Sequence, residues 1–127
     1  MLANSLDTDQ LRKLEFYSKF TPTSVSLSHF MDHQVSGGGV EQSFLFLRRE
    51  IPVRLANIMM ELELLPSELL AQPACQQIIH QYSNSFKEVL QFENQSTSQE
   101  IYLAFNNMLG NFLQRHQVNH SGSVHIV

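Results

Sequence analysis

The stretch from Ser43 to Pro66, SFLFLRREIPVRLANIMMELELLP, constrains the fold of this chain more than any other. Apolar residues recur at Phe44, Leu47, Ile51, Leu55, Ile58, Leu62 and Leu65, in steps of three and four. Such steps keep side chains on one face of a helix of about 3.6 residues per turn, so the segment predicts a long helix with one buried stripe. Pro52 lies inside it and has no amide proton for the preceding turn, so the helix should break or kink near Ile51.

A helix with one apolar stripe buries it against others, and the rest of the chain supplies them. Residues 7–20 predict a short opening helix with Leu11, Leu14 and Tyr17 on one face and Asp7 near its cap, stopped by Thr21-Pro22-Thr23. A second short helix is expected over 24–33, through Leu27, Phe30 and Met31. Gly37-Gly38-Gly39 then reads as a loop, because three glycines cost too much backbone entropy in a helix. Pro66 and Pro73 bracket a short helical turn, and residues 74–93 predict a long helix striped by Cys75, Ile79, Tyr82, Phe86 and Val89, widened by Ile78 and Leu90. Thr97 and Glu100 have the spacing of a capping box, so a last long helix should start there, striped by Ile101, Phe105, Met108, Phe112 and His116. The expected fold is all-α, an antiparallel four-helix bundle with short accessory N-terminal helices over residues 1–116. Residues 117–127, ending HSGSVHIV, read as a frayed tail.

The chain has 127 residues, enough for one core without staples, and 43% of them are hydrophobic, with nine Phe and no Trp. A net charge of −4 disfavours nucleic acid as a partner, since that binding rests on neutralised phosphates. The local cluster Arg48, Arg49 and Arg54 could serve as a small site for an acidic partner, but such runs are usually a solvated helix face. No apolar run approaches the ~20 residues that span a bilayer, so no membrane partner is expected. Cys75 is the single cysteine, which fits a reducing compartment, and its place on an apolar stripe makes it a small core residue. The first ten residues carry two Asp and no Arg, unlike a secretory signal or a mitochondrial presequence.

Motifs for chemistry are few. His29/His33 and His116/His120 each have the spacing that lets two imidazoles share a helix face, but no HExxH and no acidic third ligand accompanies them, so no metal site is expected. There is no GxSxG and no Gly-rich phosphate loop with GK[ST], and Gly37-Gly38-Gly39 lacks a basic residue beside it, so this chain should not bind ATP. His116 continues an apolar stripe and should point inward, where its ring must find partners, with Arg115 projecting toward a different face.

The order of residues goes further. FYSKFTPTSVSLSHFMD (Phe16 to Asp32), SFLFLRREIPVRLANIMMELELLP, Tyr82-Ser83-Asn84-Ser85-Phe86, FENQS (Phe92 to Ser96) and Arg115-His116 resemble the N-terminal bundle of the mitochondrial pyruvate dehydrogenase kinases. The resemblance covers about residues 14–116, and IPVRLAN is closer to this family than to its branched-chain ketoacid relatives. It implies half of a two-domain protein-serine kinase of the mitochondrial matrix, which phosphorylates and inactivates the pyruvate dehydrogenase complex. The other half, a GHKL-type domain, carries ATP and Mg²⁺. After His116 this chain leaves the family pattern, so it should lack that domain, bind no cofactor and be inactive alone.

The resemblance also implies two sites and a partner, the lipoyl domain of the complex's acyltransferase, with a homodimer in the full-length family. The bundle's share of the lipoyl pocket falls on Val25, Phe30 and Phe46, with His33 where the family has a third aromatic. The inhibitor site, for pyruvate or dichloroacetate, falls on Leu55, Tyr82, Ser85, Phe112 and His116, and Leu113 stands where the family has an anion-binding arginine, so this site should be impaired. His116 matches the family histidine at the domain junction. Two other readings are a helical scaffold without catalysis and a phosphotransfer bundle with His116 as acceptor, the latter requiring an exposed imidazole.

Overall fold

The computed structural model describes residues 5–23 and 39–117. The second helix expected over 24–33, His29, His33, Val25, Phe30 and the tail with His120 lie outside them. Five helices and no strand occur among the described residues: α1 (Thr8–Ser18), α2 (Val40–Glu63), the single turn α3 (Ser67–Leu70), α4 (Pro73–Leu90) and α5 (Gln99–Gln117). The all-α expectation holds. α2 is the central element and packs against α1, α4 and α5.

α1 opens on a capping box, in which Gln10 N donates to Asp7 Oδ1 at 2.7 Å and Asp7 N donates to Gln10 Oε1 at 2.9 Å. Its expected face is the one it buries, with Leu14 and Tyr17 inside and Leu11 packed beside them.

α2 runs through Pro52 as one helix, so of the expected break or kink the break does not occur. Proline withholds one donor from the preceding turn, but the surroundings hold that turn in place. Ile51, Pro52 and Val53 are all buried. Glu50 and Arg54 form an ion pair at 2.7 Å that spans the proline at i, i+4 spacing. Phe44, Leu47, Ile51 and Leu55 are buried as expected, but beyond Pro52 the fully buried positions move to Ala56 and Met59, leaving Ile58 and Leu62 at the core's edge.

α4 buries Ile79, Tyr82, Phe86 and Val89, with Cys75 only partly covered and Ile78 on the outside at 37% exposure. It stops at Leu90, earlier than expected, and residues 91–94 wind on as tighter turns with Phe92 N donating to Val89 O at 3.0 Å. α5 starts one residue later than the Thr97 cap implied. Ser98 Oγ accepts from Ile101 N at 3.2 Å, and Ser98 O accepts from Tyr102 N at 3.0 Å, so Ser98 is the capping residue.

Phe105 joins the helices at one end, with ring centroids 5.0 Å from Phe44 and 5.2 Å from Phe92. Ser85 and His116 meet at the other end. Going from 92 back to 85 on the α4 side thus matches 105 forward to 116 on α5, so these two run antiparallel. Phe44, Leu47, Leu55, Phe86, Phe105, Leu109 and Phe112 are almost wholly buried, and covering each such side chain is worth about 1.5–3 kcal/mol.

Candidate functional site

Two places hold the residues that the sequence singles out. The first is the seam between the second half of α4 and the last turns of α5. Tyr82, Ser85 and Phe112 are buried there, and His116, half-buried, lies between the two aromatic rings with both centroids 4.7 Å away. Ser85 Oγ lies 2.8 Å from His116 Nε2. Arg115 corrects the expectation that it faces elsewhere. Its Nη1 donates to Ser85 Oγ at 2.7 Å and to Glu88 at 2.6 Å, so it belongs to the same cluster. The reason is reach, since a long side chain bends back along the helix surface from a Cα that points away.

The protonation states follow from the bonds. Arg115 can only donate, so Ser85 Oγ accepts from it and its own hydroxyl proton is free for His116 Nε2, which accepts when the ring is neutral. Burial, and then the Arg115 cation beside it, push the imidazole down to about 4, with Glu88 opposing. Burial also raises the Tyr82 phenol. Leu55 is fully buried on α2, which packs against both seam helices, and Leu113 is an apolar residue at the core's edge. The structure thus joins Tyr82, Ser85, Phe112 and His116 by direct contacts and adds Arg115 and Glu88, which sequence reasoning missed as members. The i, i+3 spacing of Ser85 and Glu88 was the available signal.

The second place is a groove of about 260 Å³ between the end of α1 and α2, with Phe20, Thr21, Thr23, Leu45, Phe46, Arg49, Glu50 and Val53 on its walls. Phe46 is half-buried and contributes one apolar wall. Behind it, Glu50 Oε2 accepts from Thr23 N and Thr23 Oγ1, both at 2.9 Å, and from Arg54 Nε at 2.7 Å. Arg54 Nη2 also donates to Thr23 O at 3.1 Å, and Asn57 Nδ2 to Phe20 O at 3.0 Å. This network ties the chain after α1 to α2 and fixes the groove's floor. Sequence reasoning missed it, because Arg54 read as part of a solvated face and Glu50 carries no motif. Of the arginine cluster, Arg54 is covered and paired, Arg48 is half-buried, and only Arg49 is exposed.

Among the described residues no three His, Cys, Asp or Glu side chains converge as metal ligands, and no helix is long and apolar enough to cross a membrane. Of the described glycines, Gly39 caps the start of α2 and Gly110 lies inside α5, so they form no Gly-rich loop. ATP and Mg²⁺ do not fit this set of residues.

Comparison with known proteins agrees with the residue-level resemblance. The family profile described as mitochondrial branched-chain alpha-ketoacid dehydrogenase kinase matches residues 24–121. The mitochondrial pyruvate dehydrogenase (acetyl-transferring) kinase of Ascaris suum is 43% identical over 105 residues, which are 83% of this chain and 26% of that protein. Mitochondrial isozyme 3 of the same kinase from Mus musculus is 40% identical over 106 residues, 83% of this chain and 26% of that protein. Isozyme 1 from Rattus norvegicus is 42% identical over 84 residues, 66% and 19% of the two chains. The chain therefore spans about a quarter of the length of the curated relatives it matches. With the profile covering well over half of it and these kinases as relatives, the chain belongs to the mitochondrial alpha-ketoacid dehydrogenase kinase family, among its pyruvate dehydrogenase kinases.

Proposed function

We propose that this chain is the docking and regulatory bundle of a protein-serine kinase that phosphorylates and inactivates the pyruvate dehydrogenase complex in the mitochondrial matrix. Its own activity is to take up the lipoyl-lysine arm of the complex's acyltransferase. The observation that carries this is the groove beside Phe46, which is apolar on Phe20, Leu45, Phe46 and Val53 and open to solvent. A dithiolane ring gains from such a surface at about 25 cal/mol per Å² of apolar area buried. Val25 and Phe30 are assigned to the same pocket by the family pattern. ATP and Mg²⁺ serve the kinase reaction in the full-length family.

The α4/α5 seam is assigned a regulatory role, with Leu55, Tyr82, Ser85, Phe112 and His116 as the inhibitor pocket. A small carboxylate entering there meets Leu113 in place of an arginine and would have to draw Arg115 from Glu88, so inhibition should be weak. The phosphotransfer reading is disfavoured by the same seam. His116 is half-buried between two rings and its Nε2 is engaged by Ser85, whereas a phosphoacceptor needs a free, exposed nitrogen.

Calorimetric titration with the acyltransferase's lipoyl domain, lipoylated and unlipoylated, tests the docking role. Binding of the lipoylated form alone is expected. Equal binding of both forms would show that the arm is not what is recognised.

A further inference from the structure

Leu45 and Arg49, one turn apart on α2, form a ridge between two hollows. On one side lies the Phe46 groove. On the other lies a hollow of about 290 Å³ between α1 and α2, walled by Phe16, Tyr17, Leu45, Arg48, Arg49 and Glu93. Phe16 is 52% exposed and Leu45 41%, so a large apolar rim stands in water.

The charges around the ridge do not balance. Glu93 accepts from both Lys13 and Tyr17, and although burial alone would raise its carboxyl, these donors hold it below the usual carboxylate range. Glu50 is taken by Arg54 and Thr23. Each carboxylate on these walls thus has a cation of its own. Arg48 Nη1 donates to the carbonyls of Phe92 and Gln95, at 3.4 and 2.8 Å, and its guanidinium lies 5.0 Å from the centre of the Phe44 ring. Arg49 lies 5.3 Å from the centre of the Phe20 ring. Neither arginine forms an ion pair among the described residues, so the ridge is positive although the whole chain carries −4.

We propose that the protein docked in the Phe46 groove extends over this ridge and sets an acidic side chain against Arg49, with apolar neighbours on Phe16 and Leu45. The inference rests on the docking reading above and adds the chemistry of the partner's surface. A guanidinium that already rests over the Phe20 ring can offer its fork to a carboxylate with little further ordering. The exposed Phe16 and Leu45 supply the water-excluding surround that gives such a contact its worth. The lipoyl arm is chemically the same on every lipoylated domain, so the arm cannot distinguish one domain from another. A charge on the ridge can.

A rim charge acts chiefly on association rate and salt dependence. The test is titration of the lipoylated acyltransferase domain into the wild-type chain and its Arg49→Gln, Arg49→Lys and Phe46→Ala variants at low and high salt. Arg49→Gln should weaken binding about three- to fivefold at low salt and flatten the salt dependence, and Arg49→Lys should recover most of both. The side chain is exposed, so far-UV circular dichroism should be unchanged in both variants. Equal affinity and equal salt dependence of wild type and Arg49→Gln, with binding lost in Phe46→Ala, would overturn the ridge contact and leave the docking reading standing. Absence of binding by the wild-type chain would overturn both.

Discussion

Ser85 Oγ and His116 Nε2 lie 2.8 Å apart across the seam of α4 and α5, and Arg115 donates to the same serine oxygen at 2.7 Å. One buried hydroxyl therefore satisfies two groups of the facing helix. Ser85→Ala should cost about 1–3 kcal/mol, because it leaves both polar groups without that partner. Chemical denaturation measures it, and an unchanged midpoint would show that the hydroxyl does not hold the seam.

The pH dependence of stability has a definite sign here. His116 is pushed from its ordinary 6.5 down to about 4 by burial first and by Arg115 second. The unfolded chain therefore binds this proton more readily than the folded one. The stability contributed by the neutral ring is fully present above about pH 6.5 and is lost progressively as pH falls toward 4. His116→Gln should flatten the stability profile in that window, which urea unfolding between pH 4 and pH 7 reads directly. A folded-state imidazole titrating near 6.5 by NMR would contradict the arrangement.

Glu50 is the one buried acid among the described residues, and its carboxylate has Arg54, Thr23 N and Thr23 Oγ1 as partners. Glu50→Ala should destabilise by about 3 kcal/mol, because it removes the carboxylate that neutralises a covered guanidinium. The double variant Glu50→Ala/Arg54→Met should lose less than the two single variants together, since it removes both charges at once. Additive losses in a double-mutant cycle would show that the pair is not coupled.

Ser83 is fully buried, and its hydroxyl has no partner among the described residues. Ser83→Ala removes an unsatisfied polar atom with little change of shape, so stability should stay level or rise by up to about 1 kcal/mol. A loss of stability in thermal melts would mean that the hydroxyl is bonded after all.

What was legible in the sequence was the helical skeleton. Apolar spacing is a one-dimensional signal, and it placed Leu14, Phe44, Leu47, Ile79, Phe86, Phe105 and Phe112 in the core where they lie. Pro52 could not tell by itself whether the helix would break, because a proline speaks only for its own missing donor. The burial around it and the Glu50–Arg54 pair that bridges it are tertiary facts. Thr97 and Ser98 are both good caps, and a spacing rule cannot choose between neighbours that differ by one residue. Arg115 shows the limit of a helical wheel, which projects every side chain radially and cannot see a long one turn toward Ser85. Of the candidate site, the residues of the seam were legible through the family pattern, whereas Glu88, Glu50 and Thr23 carry no motif and emerge only where chains meet.

The measurement that bears most directly on the docking role is the affinity of the lipoylated acyltransferase domain for Phe46→Ala, set beside that variant's own stability. Phe46 is only half-buried at the core's edge, so the variant should remain folded with a modest loss of stability, while its binding falls at least tenfold. A folded Phe46→Ala chain that binds the lipoylated domain as well as wild type does would contradict the account.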